Sequence, residues 1–346
     1  MPRVIGSPEQ FTSIGENIHA TRVVLRNGRK AKTLENGTEV VPFKGESGED
    51  RLLTVPEWYK KTQPYDLGQI KHFLIAVMKG IGDDPSEQEE GAAYVHSEVR
   101  RQIRAGADYL DLNVDEISPK LDVQFRGMRW LVATTESVST LPLSVDSSNA
   151  EIIAEGLAEC DGRAGRPIVN SVALERIDTL DLVKEHDARV VITAAGSSGM
   201  PSDDVERVEN VAEVMESVRS KGLALGDVFV DPLAFPISVD PTYGNHFFDA
   251  VRKLREVYGN EIHITGGLSN VSFGLPRRKL INDTFIYMAL EAGIDSGIID
   301  PIQSKMGTVF DLDTSSEPVN LAIDMLSGND DFCMNYIQAF RDGKLG

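Results

Sequence analysis

Beyond residue 100 the apolar positions alternate between two rhythms. A short β-branched run ends in polar residues, and a stretch with apolar residues three or four apart follows it. The runs are 109–114 (YLDLNV), 142–147 (PLSVDS), 167–172 (PIVNSV), 188–195 (ARVVITAA), 228–234 (VFVDPLA), 262–269 (IHITGGLS) and 296–301 (SGIIDP), and 13–19 (SIGENIH) near the start makes eight. Between them lie helical patterns such as Val205, Val208, Val211 and Val218 ending at Gly222, or Phe247, Val251, Leu254 and Tyr258 ending at Gly259. Each such helix has an apolar face to lay on a sheet. Eight strands with intervening helices predict an α/β fold of the (β/α)8 TIM-barrel class. An open doubly wound sheet would use fewer parallel strands.

One stretch breaks the rhythm. Between the first strand and a helix beginning near residue 84, the chain is far longer than the roughly 2–6 residues of an ordinary βα loop. Residues 20–43 read as extended segments joined at Asn27-Gly28 and Asn36-Gly37, dipeptides suited to two-residue hairpin turns. A Gly/Glu-rich loop (KGESGED) and a helix at about 67–80, with Ile70, Phe73, Leu74 and Val77 on one face, follow. The chain thus reads as a single domain over 1–346, with 20–83 inserted in the first βα loop as a β-meander plus helix. A βα loop emerges at the C-terminal ends of the barrel strands, which puts the insertion beside any active site.

Composition narrows the function. With 54 acidic and 35 basic residues the formal charge is −19, which opposes a general grip on nucleic-acid phosphates and an anionic membrane surface. No run of about 18 apolar residues occurs, and MPRVIGSPEQ lacks a charged head before an apolar segment, so a cytoplasmic protein is expected. Cys160 and Cys333 are too few for a disulfide framework or a thiolate metal cluster.

In a barrel of this class the C-terminal strand ends carry the chemistry. Here they read Asp111-Leu-Asn113, Asp146-Ser-Ser-Asn149, Asn170-Ser171, Asp231-Pro232, Ser269-Asn270 and Asp300-Pro301. So many carboxylates and amides need a donor-rich ligand or a hydrogen-bonded network to satisfy them. A fused pyrimidine with a 2-amino-4-oxo edge offers paired N–H donors that a carboxylate accepts side by side. A divalent cation also suits oxygen ligands, and spacing does not separate the two. Of the six histidines only His19 and His263 fall in or at the end of a candidate strand, fewer than a zinc hydrolase requires.

DLNV at 111–114, VDSSN at 145–149, VNS at 169–171 followed by Glu175-Arg176, VDPL at 230–233, and GLSNVSFG at 267–274 followed by LIN at 280–282 resemble the pterin-binding methyltransferases. These are the methyltetrahydrofolate:corrinoid-protein methyltransferases and the folate domain of cobalamin-dependent methionine synthase. The resemblance covers roughly 13–17 and 84–341; residues 20–80 have no counterpart in it. It implies that Asp146, Asn170 and Asp231 hold the pyrimidine edge of a pterin, that Asp111 and Asn113 line the same floor, and that the Asn270 amide reaches N5, the atom bearing the methyl group.

The implied substrate is tetrahydrofolate or 5-methyltetrahydrofolate. The implied acceptor or donor is the cobalt of a corrinoid carried by a separate protein, because no D-x-H-x-x-G segment occurs in this chain. The resemblance also implies a homodimer and no metal of the chain's own. Direction stays open, since a catalyst lowers one barrier for both directions. Two alternatives remain: a condensation like that of dihydropteroate synthase, and a non-catalytic folate-binding subunit. Two departures stand out. Strand five ends in Thr193-Ala194-Ala195-Gly196, where the family tends to place an amide, and Arg277-Arg278 after strand seven leave an anion-binding reading open.

Overall fold

The computed structural model describes residues 3–197 and 199–345. Its main sheet has eight strands: β1 (Thr12–His19), β2 (Tyr109–Asn113), β3 (Leu143–Asp146), β4 (Ile168–Val172), β5 (Arg189–Thr193), β6 (Val228–Asp231), β7 (His263–Ile264) and β8 (Ser296–Ile299). Helices between these strands include α1 (Pro85–Arg104), α2 (Leu121–Glu136), α3 (Ala150–Glu159), α4 (Asp204–Ser220), α5 (Tyr243–Tyr258) and α6 (Arg278–Ala292). The chain divides into two compact parts, Gly15–Ile168 and the remainder.

In the part Gly15–Ile168, β2 and β3 run parallel, with Leu110 opposite Leu143, Leu112 opposite Val145 and Asn113 opposite Asp146. Side chains alternate along a strand, so Leu110 and Leu112 share one face while Asp111 and Asn113 share the other. Both faces are buried. α1 starts where Asp84 caps the amides of Ser86 and Glu87 and Pro85 occupies the first turn, and Gly106, at φ +88°, follows its end.

Within 20–83 the strands differ from the sequence reading. Asn36-Gly37 does close a hairpin: Leu34 N–H donates to Thr38 O at 2.8 Å, and Gly37 has φ +83°. The three-stranded antiparallel sheet this turn belongs to comprises Lys32–Thr33, Glu39–Lys44 and Asp50–Thr54, so KGESGED is the turn between its last two strands. Asn27-Gly28 makes no such hairpin. Val23–Leu25 pairs instead with Gln69–Lys71, with Val24 opposite Ile70. Those two are the buried residues of their strands, and burying them together outweighs the local turn preference. For the same reason the helix expected from 67 begins later, at His72, and runs to Gly80.

The helix His72–Gly80 lies so close to α1 that a Cβ added at Gly91 would stand 2.4 Å from the Ala76 carbonyl oxygen. Backbone cannot yield as a side-chain tip does. Gly91→Ala is therefore expected to destabilise the protein by about 1–3 kcal/mol, measured as a lower urea midpoint with unchanged slope; an unchanged midpoint would contradict the close approach. Lys79, buried on that helix, donates to Glu90 at 2.7 Å and also bonds Thr54, tying the small sheet to α1.

In the other part, β5 and β6 are parallel, with Thr193 opposite Asp231, and β6 and β7 are parallel, with Val230 opposite Ile264. β7 is shorter than expected because Gly266-Gly267 and a 3-10 turn at Leu268–Ser272 replace its C-terminal half. A parallel bridge between Gly267 and Ile298 joins that end to β8. β6 stops at Asp231 because Leu233 turns the chain with φ +70°.

Candidate active site

Every second residue of the DLNVD segment reaches a different polar group. Asp111, fully buried, shares a hydrogen bond with His19 Nε2 across 2.6 Å. Asn113 donates its amide to Asp146 Oδ2 at 2.8 Å. Asp115 accepts from Ser147 Oγ at 2.5 Å and from the Ser148 amide at 2.9 Å, fixing the turn after β3. The structure thus brings Asp111, Asn113 and Asp146 together. It adds His19, from the end of β1, whose Nε2 lies 4.0 Å from Asp146 Oδ2.

The electrostatics follow from crowding two carboxyls beside one imidazole. Burial, then the charge of Asp111, pushes the Asp146 carboxyl up to about 7, against the pull of His19 and the Asn113 hydrogen bond. Burial alone would lower the His19 imidazole, but the hydrogen bond and charge of Asp111 and the charges of Asp146 and Glu16 leave it raised. His19, Asp111 and Asp146 could present three ligand atoms within 4.8 Å of one another to a cation. Donors held by one ion at 2.0–2.2 Å and a right angle stand about 3 Å apart, so the closer His19–Asp111 contact is a hydrogen bond.

The same part holds the insertion against these strand ends. Arg22 donates to Asn17 Oδ1 at 2.8 Å and to Glu16 Oε1 at 3.2 Å, and Asn17 in turn donates to Glu98 of α1 at 3.0 Å. Lys71 pairs with Glu116, two residues past the Val114 that follows β2.

In the other part, Asp231 is buried at the end of β6 and its Oδ1 accepts from the Leu233 amide at 2.7 Å. Burial pushes its carboxyl up to about 6, against backbone hydrogen bonds from Leu233 and Gly267 and the charge of Arg207. Gly266 lies against it and Gly267 against Asn270. A Cβ on Gly266 would lie 3.3 Å from Asp231 Oδ1, and one on Gly267 would lie 2.8 Å from Asn270 Nδ2. Asn270 is exposed, with its backbone N–H closing a turn onto Gly267 O at 3.0 Å. Asn170 is buried near the end of β4, next to Ser171, which accepts from Arg176 at 3.0 Å.

Residues 86–300 match the pterin-binding enzyme family. This chain belongs to that family. It is 31% identical over 265 residues to a methylcorrinoid:tetrahydrofolate methyltransferase of Eubacterium limosum, a match covering 75% of this chain and 91% of that protein. It is 32% identical over 216 residues to a methionine synthase of Mycobacterium leprae (strain TN), covering 58% of this chain and only 17% of that much longer protein. Among solved structures it resembles a dihydropteroate synthase from Xanthomonas albilineans in complex with 7,8-dihydropteroate, with a TM-score of 0.51 and 19% identity over 63% of this chain and 83% of that one. That likeness is one of fold, and the fold is the (β/α)8 barrel read from the strand rhythm.

Two further residues of this pterin-binding enzyme have partners that the sequence does not indicate. His19 stands 92 positions from Asp111, and nothing local to IGENIH marks it as that residue's partner. Asn210 of α4 donates to the Ala194 carbonyl at 2.9 Å, so an amide reaches the end of β5 from a helix, where the strand itself supplies none. Asp300, by contrast, caps its own turn: it accepts from the Ile302 and Gln303 amides at 3.1 and 3.2 Å.

Proposed function

We propose that this chain transfers a methyl group between N5 of tetrahydrofolate and the cobalt of a separate corrinoid protein. The observation that carries this reading is the seating of a buried carboxylate, Asp231, and an exposed amide, Asn270, against the two successive glycines that follow β7. The similarity to a methylcorrinoid:tetrahydrofolate methyltransferase along 91% of that protein supports it. On this reading Asp146, Asn170 and Asp231 take the donor-bearing edge of the pterin, Asp111 and Asn113 form the floor beneath it, and Asn270 meets N5.

The chemistry asks for little else from the chain. Methyl transfer to cobalt is a displacement in which a tertiary amine is a poor leaving group until N5 gains positive charge. A hydrogen bond between the Asn270 amide and N5 that strengthens as N5 takes up a proton lowers the barrier, because it favours the transition state over the ground state. The corrinoid supplies the redox chemistry of cobalt, and the chain binds, orients and polarises.

The same reading carries a homodimer in a cytoplasmic setting. No helix among the described residues is long and apolar enough to cross a membrane. The condensation alternative, which would use Arg277-Arg278 for a pyrophosphate, fits less well: Arg278 turns two of its donors back onto its own loop, to Ser272 Oγ at 2.9 Å and Ser269 O at 2.8 Å, and lies over the Phe273 ring.

The test is spectral. The pure protein incubated with 5-methyltetrahydrofolate and cob(I)alamin, or with tetrahydrofolate and methylcobalamin, is expected to interconvert cobalt(I) and methyl-cobalt(III). Absence of both conversion and folate binding would sink the proposal.

A further inference from the structure

Arg207, on the first turn of α4, is fully buried and is the largest such side chain of the described chain. Its hydrogens go to carbonyl oxygens: Nε to Pro232 at 2.8 Å, Nη1 to Asp203 at 2.9 Å and Nη2 to Leu233 at 3.5 Å. The ring of Phe235 lies 4.8 Å from the guanidinium carbon. Taking a cation out of water without a carboxylate in direct contact costs several kcal/mol. Packing alone at that point would be served by a methionine.

The backbone it holds is itself in an uncommon conformation. Leu233 sits in the left-handed region at φ +70°, which a branched side chain seldom adopts without outside support. The Pro232 carbonyl that accepts from Arg207 belongs to the same planar peptide as the Leu233 amide, which donates to Asp231 Oδ1. The connection is short and continuous: guanidinium to the carbonyls of 232 and 233, then the amide of 233 to the carboxylate of 231.

We infer that Arg207 is a positioning residue for Asp231, locking the turn after β6 so that the carboxylate is held with acceptor capacity left for a ligand's N–H groups. The inference rests on the pterin reading of Asp231 given above. Charge acts in the same direction as geometry. Arg207 is the charged side chain that draws the Asp231 carboxyl down against burial, while Asp203, Asp204 and Tyr243 are the other titratable groups facing Arg207.

The experiment measures tetrahydrofolate Kd from pH 5 to 8 for the wild type, Arg207→Met, Arg207→Lys and Asp231→Asn, with urea unfolding of each. Arg207→Met is expected to weaken binding at least tenfold at pH 7 and to move the acid limb of the affinity profile to higher pH, a shift that a purely structural role would not produce. Arg207→Lys keeps the charge but not the fork, so its affinity falls by a similar factor while the limb stays near that of the wild type. A folded Arg207→Met with wild-type affinity and an unmoved limb overturns the inference. Where Arg207→Met does not fold, wild-type affinity in Arg207→Lys overturns it instead. Wild-type protein that binds no tetrahydrofolate, or Asp231→Asn that binds it normally, counts against the pterin reading. In that event the link is read from the Asp231 carboxyl titration by carbon-13 NMR, which the Arg207 variants must still shift if the inference stands.

Discussion

Asn270→Ala is expected to slow methyl transfer about a hundredfold or more while changing tetrahydrofolate affinity only a few-fold. A hundredfold loss corresponds to about 2.7 kcal/mol, the size of one hydrogen bond that matters mainly in the transition state. Asn270 is exposed at the turn after β7, so it contributes little buried surface. An amide placed at N5 acts on the leaving group, and its loss belongs in kcat as well as in kcat/KM. Single-turnover cobalt spectra, set beside an independent folate titration, separate the two. Equal losses in rate and affinity would make Asn270 a binding residue, and an unchanged rate would remove it from the reaction.

The second large effect concerns Asp146, where stability and ligand binding pull apart. Its carboxyl is pushed up to about 7, whereas an unfolded chain would ionise it near 3.8. The folded state therefore holds a proton that the unfolded state has lost, and stability falls as pH rises from about 4 to about 7. Asp231, at about 6, adds the same sign over about 4 to 6. His19, raised above 6.5, loses its contribution as pH climbs through its own folded value.

Asp146→Asn removes the charge of the half-buried carboxyl beside Asp111 and is expected to raise the melting temperature by a few degrees at pH 8. The gain should shrink steadily below pH 7. A pterin edge that donates two N–H groups needs the carboxylate, so the same variant should bind tetrahydrofolate at least a hundredfold more weakly. Wild-type binding should tighten as pH rises through 6 and 7. Calorimetry and titration at four or five pH values check both halves. A melting gain independent of pH would refute the electrostatic account, and retained affinity would refute the role in binding.

Much of the barrel was legible because its signals are local. YLDLNV alternates apolar and polar residues with the period of a strand, and the structure puts Asp111 and Asn113 on one face and Leu110 and Leu112 on the other. The Asp84-Pro85 start of α1 is equally local. What sequence did not yield depends on partners distant along the chain. Asn27-Gly28 has the composition of a hairpin turn, yet Val24 found its apolar neighbour at Ile70, beyond the whole small sheet. Arg207 reads as one more charge on the acidic helix DDVERVEN, and only the fold of the turn after β6 gives it carbonyl partners. Asp300 looked equivalent to Asp231 by position, but its own turn uses its oxygens.

The Gly266-Gly267 step works as a gauge. Asp231 stands against the first of these residues and Asn270 against the second, each near enough that one methyl group would touch it. The carboxylate and the amide are thus each seated against bare main chain. On the proposed reading, a ring held by both would lie along that main chain. On that reading, selection by size would be exercised at two positions with no side chain at all, and altered substrates would be sought by widening this step rather than by trading the polar residues on either side of it.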